Sequence, residues 1–250
     1  MASAIDAPTH YVGQADSVIV DVLSGDIYWT ENLGQRVVAL RSGASTPVRI
    51  AGTGVCNTGS SSSTSDFDGG GAAILTCVAP RNIAVDAIGR PLFITGRFPG
   101  TIMRIERDGM LTALAQIPFL DAPGIDGPIA NATAWSLGSL AVVNGGSALL
   151  VSDTAQAASW SVVRRIDLAA GAITRIAGAF SGPFDDGGAL LDTQFTSIGL
   201  LAVYPGGNIA IAEVATGRVR IGVVSKNSVS GSCGRVYLHC VCPTLLPPCM

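Results

Sequence analysis

Short apolar runs recur along the chain, and each is closed by Gly, Asp, Asn or Pro. Four such runs align with one another: Val18-Ile19-Val20-Asp21, Ile83-Ala84-Val85-Asp86, Leu140-Ala141-Val142-Val143 and Leu201-Ala202-Val203-Tyr204. A second set follows at 27–31, 92–96, 149–153 and 209–213, and a third at 36–40, 102–105, 163–167 and 218–221. A fourth set, at 48–52, 111–115 and 173–178, has no clear counterpart after Ile221-Gly222-Val223-Val224. The runs are too short for helices and no segment sustains apolar spacing at three and four residues, so they predict strands joined by hairpin turns. Runs such as 140–143 are too continuous for a strand with one wet face and predict strands covered on both sides.

The turns repeat as well. Acidic-glycine loops stand at Asp68-Gly69-Gly70-Gly71-Ala72, Asp126-Gly127-Pro128 and Asp186-Gly187-Gly188-Ala189, with aspartates 58 (126 − 68) and 60 (186 − 126) positions apart. Asp accepts backbone N–H groups in turns and Gly supplies positive φ, so Asp68, Gly69, Gly70, Asp126, Gly127, Asp186, Gly187 and Gly188 are read as structural turn residues. Asp21 and Asp86 are read as turn caps. Four units at this period, of four strands each except the last, predict propeller blades.

The units resemble blades of the NHL-repeat β-propeller family. That blade carries an acidic-Gly-Gly-x-Ala loop, a Pro-x-x-Ile-Ala-Val-Asp strand, matched by Pro80-Arg81-Asn82-Ile83-Ala84-Val85-Asp86, and an Arg-Ile strand. Tyr28-Trp29-Thr30-Glu31 also resembles the related YWTD propellers of the low-density lipoprotein receptor type. The resemblance implies an all-β propeller over about 17–226, with blades near 17–52, 80–115, 137–178 and 198–226. An extension, 1–16, precedes it and a cysteine-rich tail, 227–250, follows. Family members usually have five or six blades. Four visible blades therefore imply either a small closed ring or an incomplete one, and the open edges of an incomplete ring would self-associate.

Composition narrows the function classes. Hydrophobic residues make up 48% of the chain and aromatics only 6%, as suits sheets filled with Val, Ile, Leu and Ala. The net charge is −3 and there is no basic cluster, which argues against a nucleic-acid surface. No apolar run approaches the roughly 18 residues of a membrane span. The first residues show neither a basic nor an apolar leader region, so no signal peptide is expected.

Candidate chemistry is sparse. Some relatives of this fold are metal-dependent lactonases or lyases, but the two histidines, His10 and His239, lie outside the blades, so a three-His zinc site is excluded. Oxygen ligands alone would suit calcium, and otherwise no cofactor is expected. Glu31 with Arg36, Asp153 with Arg164, and Glu213 with Arg218 are expected as cross-strand ion pairs that hold hairpin register. Gly96 takes the acidic place in the second unit, which leaves Arg104 without a partner. Phe98, Trp135 and Trp160 lie at long turns, either as ligand-face aromatics or as packing beneath the loops. Cys56 and Cys77 flank a Ser-rich insertion. They are expected as a disulfide in an oxidising compartment, or as two free thiols in a cytoplasmic protein. Asn131-Ala132-Thr133 is a glycosylation sequon. The combined expectation is a non-catalytic scaffold, extracellular or at the cell surface, that binds a protein or glycan. A metal-dependent propeller enzyme and a cytoplasmic adaptor are the alternatives.

Overall fold

The computed structural model describes residues 15–53, 71–86, 88–95, 100–120, 124–155, 160–181, 189–204 and 208–222. The chain divides into two compact units, Met1–Phe119 and Leu120–Met250. Each unit contains two antiparallel β-sheets, which are propeller blades.

In the first unit, β1 (Ser17–Val20), β2 (Ile27–Glu31), β3 (Arg36–Leu40) and β4 (Val48–Ala51) form a four-stranded meander. The second blade contains β6 (Pro80–Val85), β7 (Pro91–Thr95), β8 (Gly100–Ile105) and β9 (Met110–Ile117), with a fifth strand, β5 (Gly71–Ala72), beside β9. Their shared core holds Tyr28, Val37 and Ala39 from one blade against Ile83, Met103, Ile105 and Leu111 from the other.

The second unit repeats the plan. β10 (Gly127–Pro128), β14 (Ala172–Ala177), β13 (Trp160–Asp167), β12 (Ala148–Ala155) and β11 (Leu137–Val143) form one sheet in that order. β15 (Ile198–Val203), β16 (Ile209–Glu213) and β17 (Arg218–Gly222) form the other. Ala141, Leu150 and Val163 pack there against Ile198, Leu201, Ile209 and Ile211. The described residues of this last blade end at Gly222, and the tail 227–250 lies outside them.

Two sequence expectations are corrected. Two of the acidic-glycine segments run on into strand: β5 and β10 each add two residues to the outer edge of a blade, and each leads into a single 3-10 turn, Ala73–Leu75 and Ile129–Asn131. Gly71 and Gly127 enter these edges at φ +145° and +136°. The register of the second blade is also offset by one. Val85 pairs with Pro91 as Val20 pairs with Ile27, so Thr95, rather than Gly96, takes the place of Glu31. The connection after Asp86 is one residue shorter than the one after Asp21, which moves the whole second strand.

Candidate functional site

The carboxylate–arginine contacts differ between the units. Arg36 Nε donates to Glu31 Oε2 at 2.6 Å, and Trp29 Nε1 donates to the other oxygen at 2.8 Å. Asp153 and Arg164 meet at 3.3 Å across β12 and β13, both shut off from solvent. Asp153 Oδ1 also accepts the N–H groups of Trp135 and Ser136. Burial pushes the Asp153 carboxyl up, against these donors and the Arg164 charge. Arg164 donates further to the Thr133 and Ile125 carbonyls and to Asp126. Asp126 Oδ2 in turn accepts the Arg175 N–H at 2.7 Å. This loop aspartate therefore ties 124–136 to β13 and β14.

The third contact requires a correction. Glu213 lies opposite Arg218 in backbone register, but Arg220 is the arginine at its carboxylate, 3.1 Å away and equally buried. Arg218 is an exposed residue, whereas the buried Arg220 sits diagonally beneath Glu213, as Arg164 sits beneath Asp153. The equivalent positions in the first unit are Val38 and Met103. Arg104 also has a partner, since its Nε donates to Glu106 Oε1 at 2.6 Å.

Of the aromatic candidates, Trp160 is only 4% exposed and meets Phe180 edge to face at 4.9 Å, so it is a packing residue and not a ligand anchor. Trp135 packs against the same cluster. Phe98, Asp68, Gly69, Gly70, Asp186, Gly187, Gly188 and Cys56 lie outside the described residues. Cys77 takes part in a disulfide. Asn131 stands exposed on its 3-10 turn.

Sequence reasoning missed a cavity of about 500 Å³ within the first unit. It opens where the β1–β2 and β3–β4 turns of one blade face the β6–β7 and β8–β9 turns of the next. Asp21, Asp26, Tyr28, Arg41, Arg90 and Glu106 line it, with Ile50, Ile74 and Ile88. Most of its polar side chains are already fixed. Asp26 accepts Arg41 Nη1 at 2.7 Å and the Ser42 N–H at 2.7 Å. The Arg41 contact, with that N–H, holds the Asp26 carboxyl below its ordinary value. Tyr28 OH bridges the two, and burial raises its pKa. Asp21 accepts Ser24 Oγ at 2.6 Å and the Leu23 N–H, which lowers its pKa in that order of effect.

Across the opening, Arg90 spans Asp86 at 2.7 Å and Glu106 at 2.8 Å. Burial opposes the charge on both Arg90 and Glu106, but their contacts outweigh it: Arg90 is raised and Glu106 lowered. Gly89, at φ +80°, approaches the Asp21 carboxylate so closely that a Cβ there would lie 2.7 Å from Oδ2. Arg49 and Arg107 complete the rim. Both are exposed and donate to backbone carbonyls, Thr53 at 2.8 Å and Ile88 at 3.3 Å. The sequence signal for this site is the turn cap Asp21, with the turn cap Asp86 beside it holding Arg90; both accept turn N–H groups.

No family model and no curated protein matches the sequence. Solved structures do, as propellers. A protein of unknown function from Bacteroides thetaiotaomicron is 13% identical, with a TM-score of 0.61 over 84% of this chain and 47% of its own. An auxiliary nutrient binding protein from Bacteroides ovatus is 16% identical, with a TM-score of 0.52 over 83% and 47%. A chain of a nidogen/laminin complex is 15% identical, with a TM-score of 0.52 over 86% and 61%. The chain thus spans about half to three-fifths of the structures it resembles. At these identities the likeness shows the β-propeller fold and nothing finer.

Proposed function

We propose that this chain is a non-catalytic binding propeller of NHL-like type and that the cavity of its first unit receives a polar group of a protein or glycan ligand. The observation that carries this reading is the cavity lining. Donors and acceptors stand beside Ile50, Ile74 and Ile88, and Asp26 with Tyr28 and Arg41, and Arg90 with Glu106, hold one another in place before any ligand arrives. A site organised in this way loses little side-chain entropy on binding. Arg49 and Arg107, which meet no carboxylate among the described residues, provide donors at the rim. A nutrient binding protein and a nidogen/laminin chain share the fold, which is consistent with a binding role in an extracellular or cell-surface setting. Among the described residues, no helix is long and apolar enough to cross a membrane.

The reading takes no cofactor. It is tested by screening the protein against immobilised glycans and extracellular-matrix proteins, with and without a chelator, beside an Arg49→Ala/Arg107→Ala variant. Both arginines are exposed, so the variant is expected to fold and to lose the ligand that the native protein captures. Capture unaffected by the two substitutions would place the ligand elsewhere. Metal-dependent hydrolysis of a lactone by the same preparation would replace this reading with an enzymatic one.

A further inference from the structure

Within each unit, one blade offers a defined row of side chains to the blade that follows it. In the first unit the row is Ser17, Thr30 and Val37, which are register partners across β1, β2 and β3. Ser17 Oγ accepts the Ile83 N–H at 3.4 Å, Thr30 Oγ1 donates to the Arg81 carbonyl at 3.0 Å, and Val37 lies in the shared core. In the second unit the row is Ser139, Ser152 and Val163. Ser139 Oγ accepts the Leu201 N–H at 2.9 Å, and Val163 lies in the core. The side chains that meet these rows are also equivalent. Ile83 and Leu201 each lie against the preceding blade, at 4% and 8% exposure.

The first and last blades each carry side chains of this kind that stand exposed. Val18, at the place of Ile83 and Leu201, is 64% exposed, and Val20, at the place of Val85 and Val203, is 50% exposed. On the last blade the row reads Leu200, Ala212 and Val219, again register partners across three strands. Leu200 is 62% exposed and Val219 39%. Apolar side chains that a propeller normally covers stand in water at both places.

We propose that these two faces bind each other between copies of the chain, so that the β15–β17 sheet of one copy stacks on the β1–β4 sheet of another in the manner of consecutive blades. The occupant is a second copy because the surface that fits Val18 and Val20 is the row one blade offers to the next, and this chain carries such a row exposed. Leu200 stands where Ser17 and Ser139 stand, so the new contact is apolar where the internal ones are hydrogen-bonded. A contact between two different faces of identical chains is head to tail, and it closes into a ring or runs on as a filament according to geometry.

Sedimentation equilibrium of the 250-residue chain over a wide concentration range tests this. The native protein is expected to show a mass of at least twice 25.4 kDa at high concentration. Val18→Glu and Leu200→Lys each remove half of the contact and are expected to sediment as monomers. Mixed together they restore association, because the intact Leu200 face of one variant meets the intact Val18 face of the other. Val20→Glu and Val219→Lys form a second pair for the same experiment, and circular dichroism confirms that each variant is folded. A native monomer at every concentration overturns the proposal. Association that survives all four single variants, or that mixing fails to restore, overturns it too.

Discussion

Arg164 Nη1 lies 3.3 Å from Asp153 Oδ2, and neither side chain is more than 1% exposed. Removing the arginine leaves a buried carboxylate with two backbone donors and no counter-charge, and it takes a donor from the Thr133 carbonyl and from the Ile125 carbonyl, which keeps only the Thr133 N–H. Arg164→Ala is expected to lower the stability of the second unit by about 3–5 kcal/mol. Gly124→Ala tests the same packing from the other side. A Cβ there would lie 2.6 Å from the Thr133 carbonyl oxygen and 2.8 Å from Asp153 Oδ2, a crowding expected to cost about 1–3 kcal/mol. Urea unfolding of both variants checks the pair, and an unchanged midpoint for Arg164→Ala would contradict the account given of it.

Gly178 and Gly171 share a positive φ, +96° and +60°, but differ in surroundings. A Cβ on Gly178 would lie 2.7 Å from the Ser161 carbonyl oxygen, whereas nothing stands within 4 Å of one on Gly171. Gly171→Ala is therefore expected to cost only the left-handed backbone penalty, about 1–2 kcal/mol. Gly178→Ala adds a backbone clash and should melt well below it. Equal melting temperatures would refute the distinction.

Asp26 gives the first unit a term that depends on pH. Arg41 and the Ser42 N–H hold its carboxyl below the ordinary value of 3.8, so the folded state takes up that proton less readily than the unfolded state. The contribution is fully present above 3.8 and is lost as the pH falls through the depressed folded value. Arg41 is half exposed, so the effect is modest. Asp26→Asn should flatten the acid limb of the stability–pH curve and leave its shape near neutrality unchanged, as acid titration followed by fluorescence would show.

Cys77 is disulfide-bonded, and we propose Cys56 as its partner because the two flank one insertion. Closing a loop of about 20 residues stabilises the fold by roughly 3 kcal/mol in the chain-entropy model. Non-reducing peptide mapping should recover the two cysteines in one linked fragment, and Cys56→Ser should lower the melting temperature. A link from Cys77 to a tail cysteine would exclude the pairing.

The longer strands and their order follow from local pattern in the sequence, whereas the two-residue strands β5 and β10 do not. Apolar runs such as Ile209-Ala210-Ile211-Ala212 between turn residues admit little other than short strands, and their fourfold recurrence implies blades, because both signals act over neighbouring residues. The tertiary structure decided what depends on register and on distant chain. Glu213 lies as near in sequence to Arg218 as Glu31 does to Arg36, and only the pairing of β16 with β17 shows that Arg220 lies beneath the carboxylate. Trp160 reads as a loop aromatic until its packing on Phe180 is seen. The cavity brings Asp21 and Asp26 together with Arg90 and Glu106, residues more than sixty positions apart on separate hairpins. Packing of one blade against the next brings them together, and no local pattern records it.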